Sequence, residues 1–259
     1  MLDFNKSKFL ERNMKVLITG LKGTLGPVVA RVFEQQRAEI LSWDRSIVDP
    51  ENTEATAQYL EALQTEAIVH LAMGSERWAA QLAGYAAKQH IPFVFTSSVM
   101  VFDDEPDGPH HPADPRTEKD GYGTYKVRCE DAILATNKNA IIARIGWQID
   151  PSGEGNNMLA HLDQWQEREG KIEASTRWKP ACSFMEDTAE SLWNLLQTGK
   201  GGIYHLDANA QDAWTFDQVV LALKKKFDRA WEVVPLAGYQ HDQRLAGHEG
   251  WIRRLSERI

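Results

Sequence analysis

At 259 residues, with 25% charged and 42% hydrophobic residues, the chain has ordinary globular composition. It is long enough for one large core or for a cofactor domain with a smaller partner. Its formal net charge of -8 excludes a general nucleic-acid binder, which needs positive charge to neutralise phosphates. Two cysteines, Cys129 and Cys182, make neither a disulfide framework nor a zinc spacing, and no apolar run approaches a membrane span, so a reducing cytoplasm is the expected setting. Residues 1–13 carry Asp3, Lys6, Lys8, Glu11 and Arg12, which leaves no signal-peptide core. They read as an N-terminal extension, with Met14 as an alternative start.

The stretch 14–26, MKVLITGLKGTLG, holds the first clear pattern. Residues 15–19 are an apolar run rich in β-branched side chains that stops at Gly20. Gly23 and Gly26 follow at three-residue spacing, and Val28, Val29, Val32 and Phe33 then recur at helical spacing. Strand, tight glycine turn and helix is the predicted order. A dinucleotide diphosphate suits such a turn, because it lies against the unpaired N–H groups and positive dipole end of the helix, where a Cβ blocks approach. The spacing alone is weak; its position between strand and helix gives it weight. A second strand at 38–43 ends at Asp44, 18 residues after Gly26 (44 minus 26), where a carboxylate can accept from an adenosine ribose hydroxyl. Asp44 disfavours a 2′-phosphate, whereas Lys22 and Arg45 stand where a cation can hold one. NAD is preferred and NADP stays open.

Beyond Asp49-Pro50 the sequence predicts a helix at 51–65, a buried strand at 67–72 (AIVHLA) and a helix at 78–90. A fourth strand at 91–96 (IPFVFT) runs into Ser97 and Ser98. Strands alternating with helices at this pitch predict an α/β fold, a Rossmann-type doubly wound parallel sheet with ligands at the strand C-termini. A loop at 103–120, holding Pro106, Pro109, Pro112 and Pro115, is long for a compact domain and reads as functional. A helix at 121–136 and a strand at 140–145 complete a dinucleotide-binding domain at 14–148. The pattern then loosens: helices at 158–169, 187–196 and 216–227 and short strands at 171–174 and 202–206 predict a smaller, irregular α+β substrate-binding region at 149–259, with segments returning to the first domain. Six of the nine tryptophans (165, 178, 193, 214, 231 and 251) lie beyond Gln148 and read mostly as packing residues. Trp147, just past a strand end, is the better pocket candidate.

Tyr122 and Lys126 stand four apart on the 121–136 helix and share a face. A tyrosine near its ordinary pKa of ~10 is a poor base but a usable acid. A lysine ammonium about 4 Å away favours the phenolate by roughly 1 kcal/mol in water and about 4 at an effective dielectric of 20, on the order of 1 to 3 pK units. Ser98, at the end of a neighbouring strand, can hydrogen-bond a substrate carbonyl and hold it against Tyr122. Spacing of this kind is common by chance; the order of glycine turn, serine-bearing strand end, tyrosine and lysine is what raises it. His110 and His111 are adjacent and lack the spacing of a helical metal pair, so no metal is expected. His70 reads as a core histidine. Arg177 and Lys179 suit a nucleotide diphosphate, with a solvated loop as the equal alternative.

GLKGTLG, TSSVMVF and YGTYK together resemble the extended short-chain dehydrogenase/reductase superfamily, and within it the dTDP-4-dehydrorhamnose reductases. The likeness runs from about residue 14 to 227 and includes RIGW (144–147), GEGNNML (153–159), the Lys179-Pro180-Ala181 turn and GIYHLDA (202–208). It implies Tyr122 as proton donor, Lys126 as its activator and ribose ligand, and Ser98 as the residue that orients the carbonyl. It also implies that Gly20, Gly23 and Gly26, with Lys22, Thr24 and Leu25, hold the cofactor diphosphate. Leu71, Ala72, Met73 and Thr96 would line the adenosine and nicotinamide path. Trp147 would pack on a sugar ring, with Val99, Asn157 and Arg177 as further substrate contacts. Two departures stand out: the chain is shorter than the family pattern between Ala72 and Ile91, and Val99-Met100 replace the usual Asp-Tyr.

These features predict an NAD(P)-dependent oxidoreductase acting on the keto group of a nucleotide-linked sugar, with a homodimer as one assembly the fold allows. Two alternatives remain. An epimerase or dehydratase needs a further acid or base near the substrate and recycles its cofactor. A sensor or scaffold binds NAD(P) without turnover and has no use for the Tyr122–Lys126 pair.

Overall fold

The computed structural model describes residues 13–105, 107–198 and 200–259. The expected extension, Asn13 apart, and Pro106 lie outside the described residues. In chain order the first part is β1 (Lys15–Thr19), α1 (Gly26–Gln35), β2 (Glu39–Ser42), α2 (Thr53–Leu63), β3 (Ala67–His70), α3 (Glu76–Gln89) and β4 (Phe93–Ser98). Then come α4 (Gly121–Thr136), β5 (Ile141–Ile145), β6 (Trp147–Ile149) and α5 (Met158–Glu169). The rest is β7 (Ile172–Lys179), β8 (Cys182–Phe184), α6 (Met185–Thr198), β9 (Gly202–Leu206), α7 (Phe216–Lys226) and β10 (Val233–Asp242).

Six strands form one parallel sheet in the order β2-β1-β3-β4-β5-β9. The fold is therefore the expected α/β, Rossmann-like sheet, accompanied by two smaller sheets. Strand alternation decides its layers. Val16 and Ile18 face α1 and α6, packing with Val29, Val32, Phe33, Leu192 and Leu195. Leu17 faces the other side with Trp78, Leu82, Phe95 and Ile133, under α3 and α4. With both faces covered, the central strands β3 and β4 are buried throughout, which is why they read as continuous apolar runs. The strand order reverses at β1, between β2 and β3, and the crevice at their C-terminal ends is the switch point where such sheets take ligands.

A third apolar cluster joins β6, α5, β7, β8 and α7 through Ile149, Leu159, Leu162, Phe184, Phe216 and Val220. Sequence reading missed β6, β8 and β10. β6 and β8 are three residues each and pair only with one another, far apart in the chain. β10 contains Pro235 and Gly238 and shifts register against β7, so it has no alternation to read. β7 extends to Lys179, past the expected end at 174, because β10 supplies its partner. The proline loop folds back on the end of β10 and the residues just after it: Gly108 N donates to Asp242 O at 2.9 Å and His110 N to Arg244 O at 2.8 Å. Among the described residues no helix is long and apolar enough to cross a membrane.

Candidate active site

The glycine turn after β1 is built by close approach. Gly20 has φ +83°, and a Cβ there would meet the Ala72 backbone nitrogen at 2.9 Å. A Cβ at Gly26 would lie 2.7 Å from Leu21 Cα and collide with the Gly20 carbonyl. α1 then begins at Gly26 with no side-chain cap and no acidic residue in its first turn. Its free N–H groups, Pro27 excepted, and its positive dipole end point into the crevice, which fits a diphosphate. Gly26→Ala is expected to weaken NAD(P)H binding by about tenfold or more, read by fluorescence titration. A variant with the parent's melting temperature and unchanged affinity would remove the turn from the site.

Beside it, Asp44 Oδ1 accepts from Ser46 Oγ at 2.7 Å and Ser46 N at 2.8 Å. These bonds hold its pKa below the ordinary carboxylate value against partial desolvation, with Lys22 adding attraction. Its second oxygen is left for a ribose hydroxyl. Arg45 turns away: its guanidinium donates to the Met73 carbonyl and lies over the Trp78 ring, 5.3 Å from the centroid.

Ser98, Tyr122 and Lys126 meet in one cleft of about 700 Å³, opposite the glycine turn's Thr24 and Leu25. The cleft is also lined by Leu71, Met73, Thr96, Val99 and Trp147, so most of the expected contacts converge there. Ser98 ends β4 and caps the single turn that follows, its Oγ accepting from Met100 N at 3.1 Å. That leaves its proton free for a ligand. Tyr122 sits in the first turn of α4, and Gly123 explains how it gets there. A Cβ at Gly123 would overlap the Met100 carbonyl, so only glycine lets α4 press against the turn carrying Met100. Lys126, 2% exposed, donates from Nζ to Thr96 O at 2.7 Å and lies 4.5 Å from the Phe95 ring centroid.

One electrostatic expectation is corrected. Lys126 does not draw Tyr122 toward neutral pH: although Tyr122 is 46% exposed, partial desolvation in the cleft pushes its phenol up to about 12, and burial lowers the lysine itself to about 8. The ammonium lies 5.5 Å from the Tyr122 ring centroid and is engaged with Thr96. Tyr122 is therefore held as an acid. His70 is fully buried, bonded through Nδ1 to Thr19 Oγ1 at 2.7 Å, and burial lowers it to about 3, so it stays neutral.

Other expected contacts fall elsewhere. Asn157 is fully buried as the N-cap of α5: its Oδ1 accepts from Ala160 N at 3.2 Å and its Nδ2 donates to Glu154 O at 2.7 Å. Its neighbour Asn156 lines the cleft instead, its backbone N donating to Thr24 Oγ1 at 3.1 Å. Arg177 is exposed on β7, and Trp178 is the residue of that strand that reaches the cleft. Ala72 backs Gly20 rather than lining the cleft. Trp178, Gln148, Met185 and Gln243 were missed by sequence, since the strands that carry or precede them were unread or read short.

A profile of the RmlD substrate binding domain matches residues 14–79 and 74–243. A dTDP-4-dehydrorhamnose reductase from Burkholderia thailandensis is 26% identical over 86% of this chain and 80% of its own length. A crystal structure of a dTDP-4-dehydrorhamnose reductase from Clostridium acetobutylicum superposes with a TM-score of 0.77 at 16% identity, covering 94% of this chain and 96% of that one. The Bacillus anthracis dTDP-4-dehydrorhamnose reductase in complex with NADP gives 0.74 at 15% identity, over 91% of both chains.

Proposed function

Since the chain belongs to the family of the RmlD substrate binding domain, we propose that it is an NAD(P)-dependent reductase acting on the keto group of a nucleotide-linked sugar. The observation that carries this reading is the convergence of Ser98, Tyr122 and Lys126 in one cleft facing the glycine turn. Gly20, Gly23 and Gly26 would hold the dinucleotide's diphosphate, Asp44 its adenosine ribose and Lys126 the second ribose. When bound, the cofactor supplies the hydride. Ser98 donates from its free hydroxyl to the substrate carbonyl oxygen and fixes its position. Tyr122 gives its proton to the developing alkoxide, and Lys126 favours the phenolate left behind. Arg45 is engaged with Met73 and Trp78, and Asp44 keeps an open oxygen, which supports NAD over NADP.

The lining of the cleft supports a reductase over an epimerase. Val99 is 5% exposed and Met100 is apolar, so no second acid or base follows Ser98. NADH and NADPH oxidation against a panel of keto-sugar nucleotides tests the reading, and no oxidation with any of them refutes it. The pH profile adds a sharper readout. Lys126 loses its charge as pH rises through about 8, so kcat/KM is expected to fall above that value, while Tyr122 stays protonated. The same group affects stability with the opposite sign. Its folded pKa lies below the 10.5 of the unfolded chain, so between the two the unfolded state binds more protons and stability rises with pH. A basic limb appearing only above about pH 10 would detach Lys126 from turnover.

A further inference from the structure

Gln148 lines the cleft, and one of its two polar atoms has nothing to bond. The side chain is 8% exposed. On β6 it stands between Trp147 and Ile149, which pack with the third apolar cluster, so alternation turns it to the opposite side, against Ser183, its paired residue on β8. Its Nε2 donates to Gly146 O at 3.1 Å and to Ser183 Oγ at 3.4 Å. Gly146 O can only accept, so the amide nitrogen must face it, and both amide hydrogens are used. Oε1 is thereby turned the other way, buried and without a partner among the described residues. A buried carbonyl oxygen left unbonded costs stability, so a native fold keeps one where a ligand or an ordered water completes it.

The other polar groups of the cleft differ from it. Ser97 Oγ, 1% exposed, also lacks a partner, but a hydroxyl donates as readily as it accepts and so selects nothing. Asn156 Oδ1 is taken by His161 Nε2 at 2.9 Å. Gln243 is only partly buried, so water serves its amide. Ser98 supplies a donor, and the two residues after it, Val99 and Met100, bring no side-chain oxygen. Gln148 Oε1 is therefore the fixed acceptor of this wall, and it matches one kind of group, a hydroxyl that donates. A ring carbon without oxygen leaves it orphaned, and an ether or a second carbonyl sets acceptor against acceptor.

We propose that Gln148 sets substrate specificity by accepting a hydrogen bond from a hydroxyl on the carbonyl-bearing ring, so that a keto sugar keeping that hydroxyl is selected over its deoxy analogue. This rests on the reductase reading and adds to it the group that the β6 wall recognises.

The test compares a dTDP-linked 4-keto-6-deoxyhexose with its 2-deoxy and 3-deoxy analogues, in the parent and in Gln148→Met, using whichever of NADH or NADPH is oxidised. In the parent, kcat/KM is expected to drop by about 10- to 100-fold for one of the two analogues. Gln148→Met should lower kcat/KM for the hydroxylated sugar and bring it within about threefold of that analogue, with NAD(P)H bound as tightly as by the parent. A merely structural role would slow both sugars together and leave their ratio at the parent's value, which overturns the proposal. Equal kcat/KM for all three sugars in the parent overturns it as well. If Gln148→Met does not fold, a crystal structure of the parent with a dTDP-linked 6-deoxyhexose decides. A ring hydroxyl within about 3.2 Å of Oε1 supports the proposal, and an Oε1 that meets water, the cofactor or nothing overturns it. If no keto sugar is reduced, the reductase reading fails separately, and the same crystal structure decides whether Gln148 reads the hydroxyl.

Discussion

Tyr122→Phe is expected to lower kcat by about 10²- to 10⁴-fold, the range a positioned general acid supplies, while NAD(P)H still binds. The substitution removes one oxygen from a ring that stays in place at the start of α4, where Gly123 fixes the helix against Met100. The phenol carries the proton that the alkoxide needs, because partial desolvation in the cleft keeps it up at about 12 and so fully protonated at neutral pH. It becomes a better donor only as charge develops on the substrate oxygen beside it. The loss should therefore appear in kcat and kcat/KM together, the signature of an interaction made in the transition state. A loss confined to KM would mean that the hydroxyl only helps to bind substrate. Full activity in the variant would end the proton-donor assignment, and water or Ser98 would have to supply the proton.

How much of this was legible in the sequence depended on whether the signal was local. The 121–136 and 158–169 helices were read to the residue, and the structure closes the latter with Asn157 as N-cap and Gly170 as left-handed C-cap. The glycine turn was legible because its glycines are required by contacts within a few residues and with the adjacent β3 end. The substrate side was not. Trp178 was grouped with packing tryptophans because nothing in a three-residue neighbourhood tells a cleft wall from a core. Its position follows from β7 pairing with β10, some sixty residues away. The two asparagines 156 and 157 carry the same chemistry in sequence, and only the start of α5 decides that the second is the cap and the first faces the cleft. The Tyr122 shift was misjudged for a related reason. Coulomb attraction follows from a spacing along a helix, but desolvation, which depends on the whole cleft, sets the direction.

Glu130→Gln is expected to destabilise the protein by about 3–5 kcal/mol, because it leaves a buried guanidinium without its counter-charge. At roughly 2–4 °C per kcal/mol for a chain of this size, the melting temperature should fall by about 6–20 °C. Glu130 follows Lys126 by one turn on the same helix and is fully buried. Arg144 on β5, 1% exposed, holds it with two bonds, Nε to Oε1 at 3.0 Å and Nη2 to Oε2 at 2.8 Å, and Arg116 Nη1 adds a third at 3.3 Å. Arg144 can only donate, so His205 Nε2, at 3.3 Å, accepts from it. The imidazole proton then sits on Nδ1 and is donated to Ala246 O at 3.1 Å. Burial and Arg144 lower His205 to about 3, which keeps it neutral and able to accept. Arg116 Nη2 reaches the exposed Asp131 at 2.7 Å, so the two arginines are balanced by two carboxylates. Such a cluster contributes little net stability compared with apolar residues of the same volume, so the double variant Glu130→Leu, Arg144→Met should recover much of the single variant's loss. What it contributes is register. Lys126 ties α4 to Thr96 on β4, and Glu130 ties the next turn to β5, so Tyr122 is aimed by a helix pinned at two neighbouring strands. The double variant should thus regain its melting temperature while kcat stays below the parent's. If kcat returned along with stability, the ion pair would have no part in aiming the helix, and packing alone would suffice.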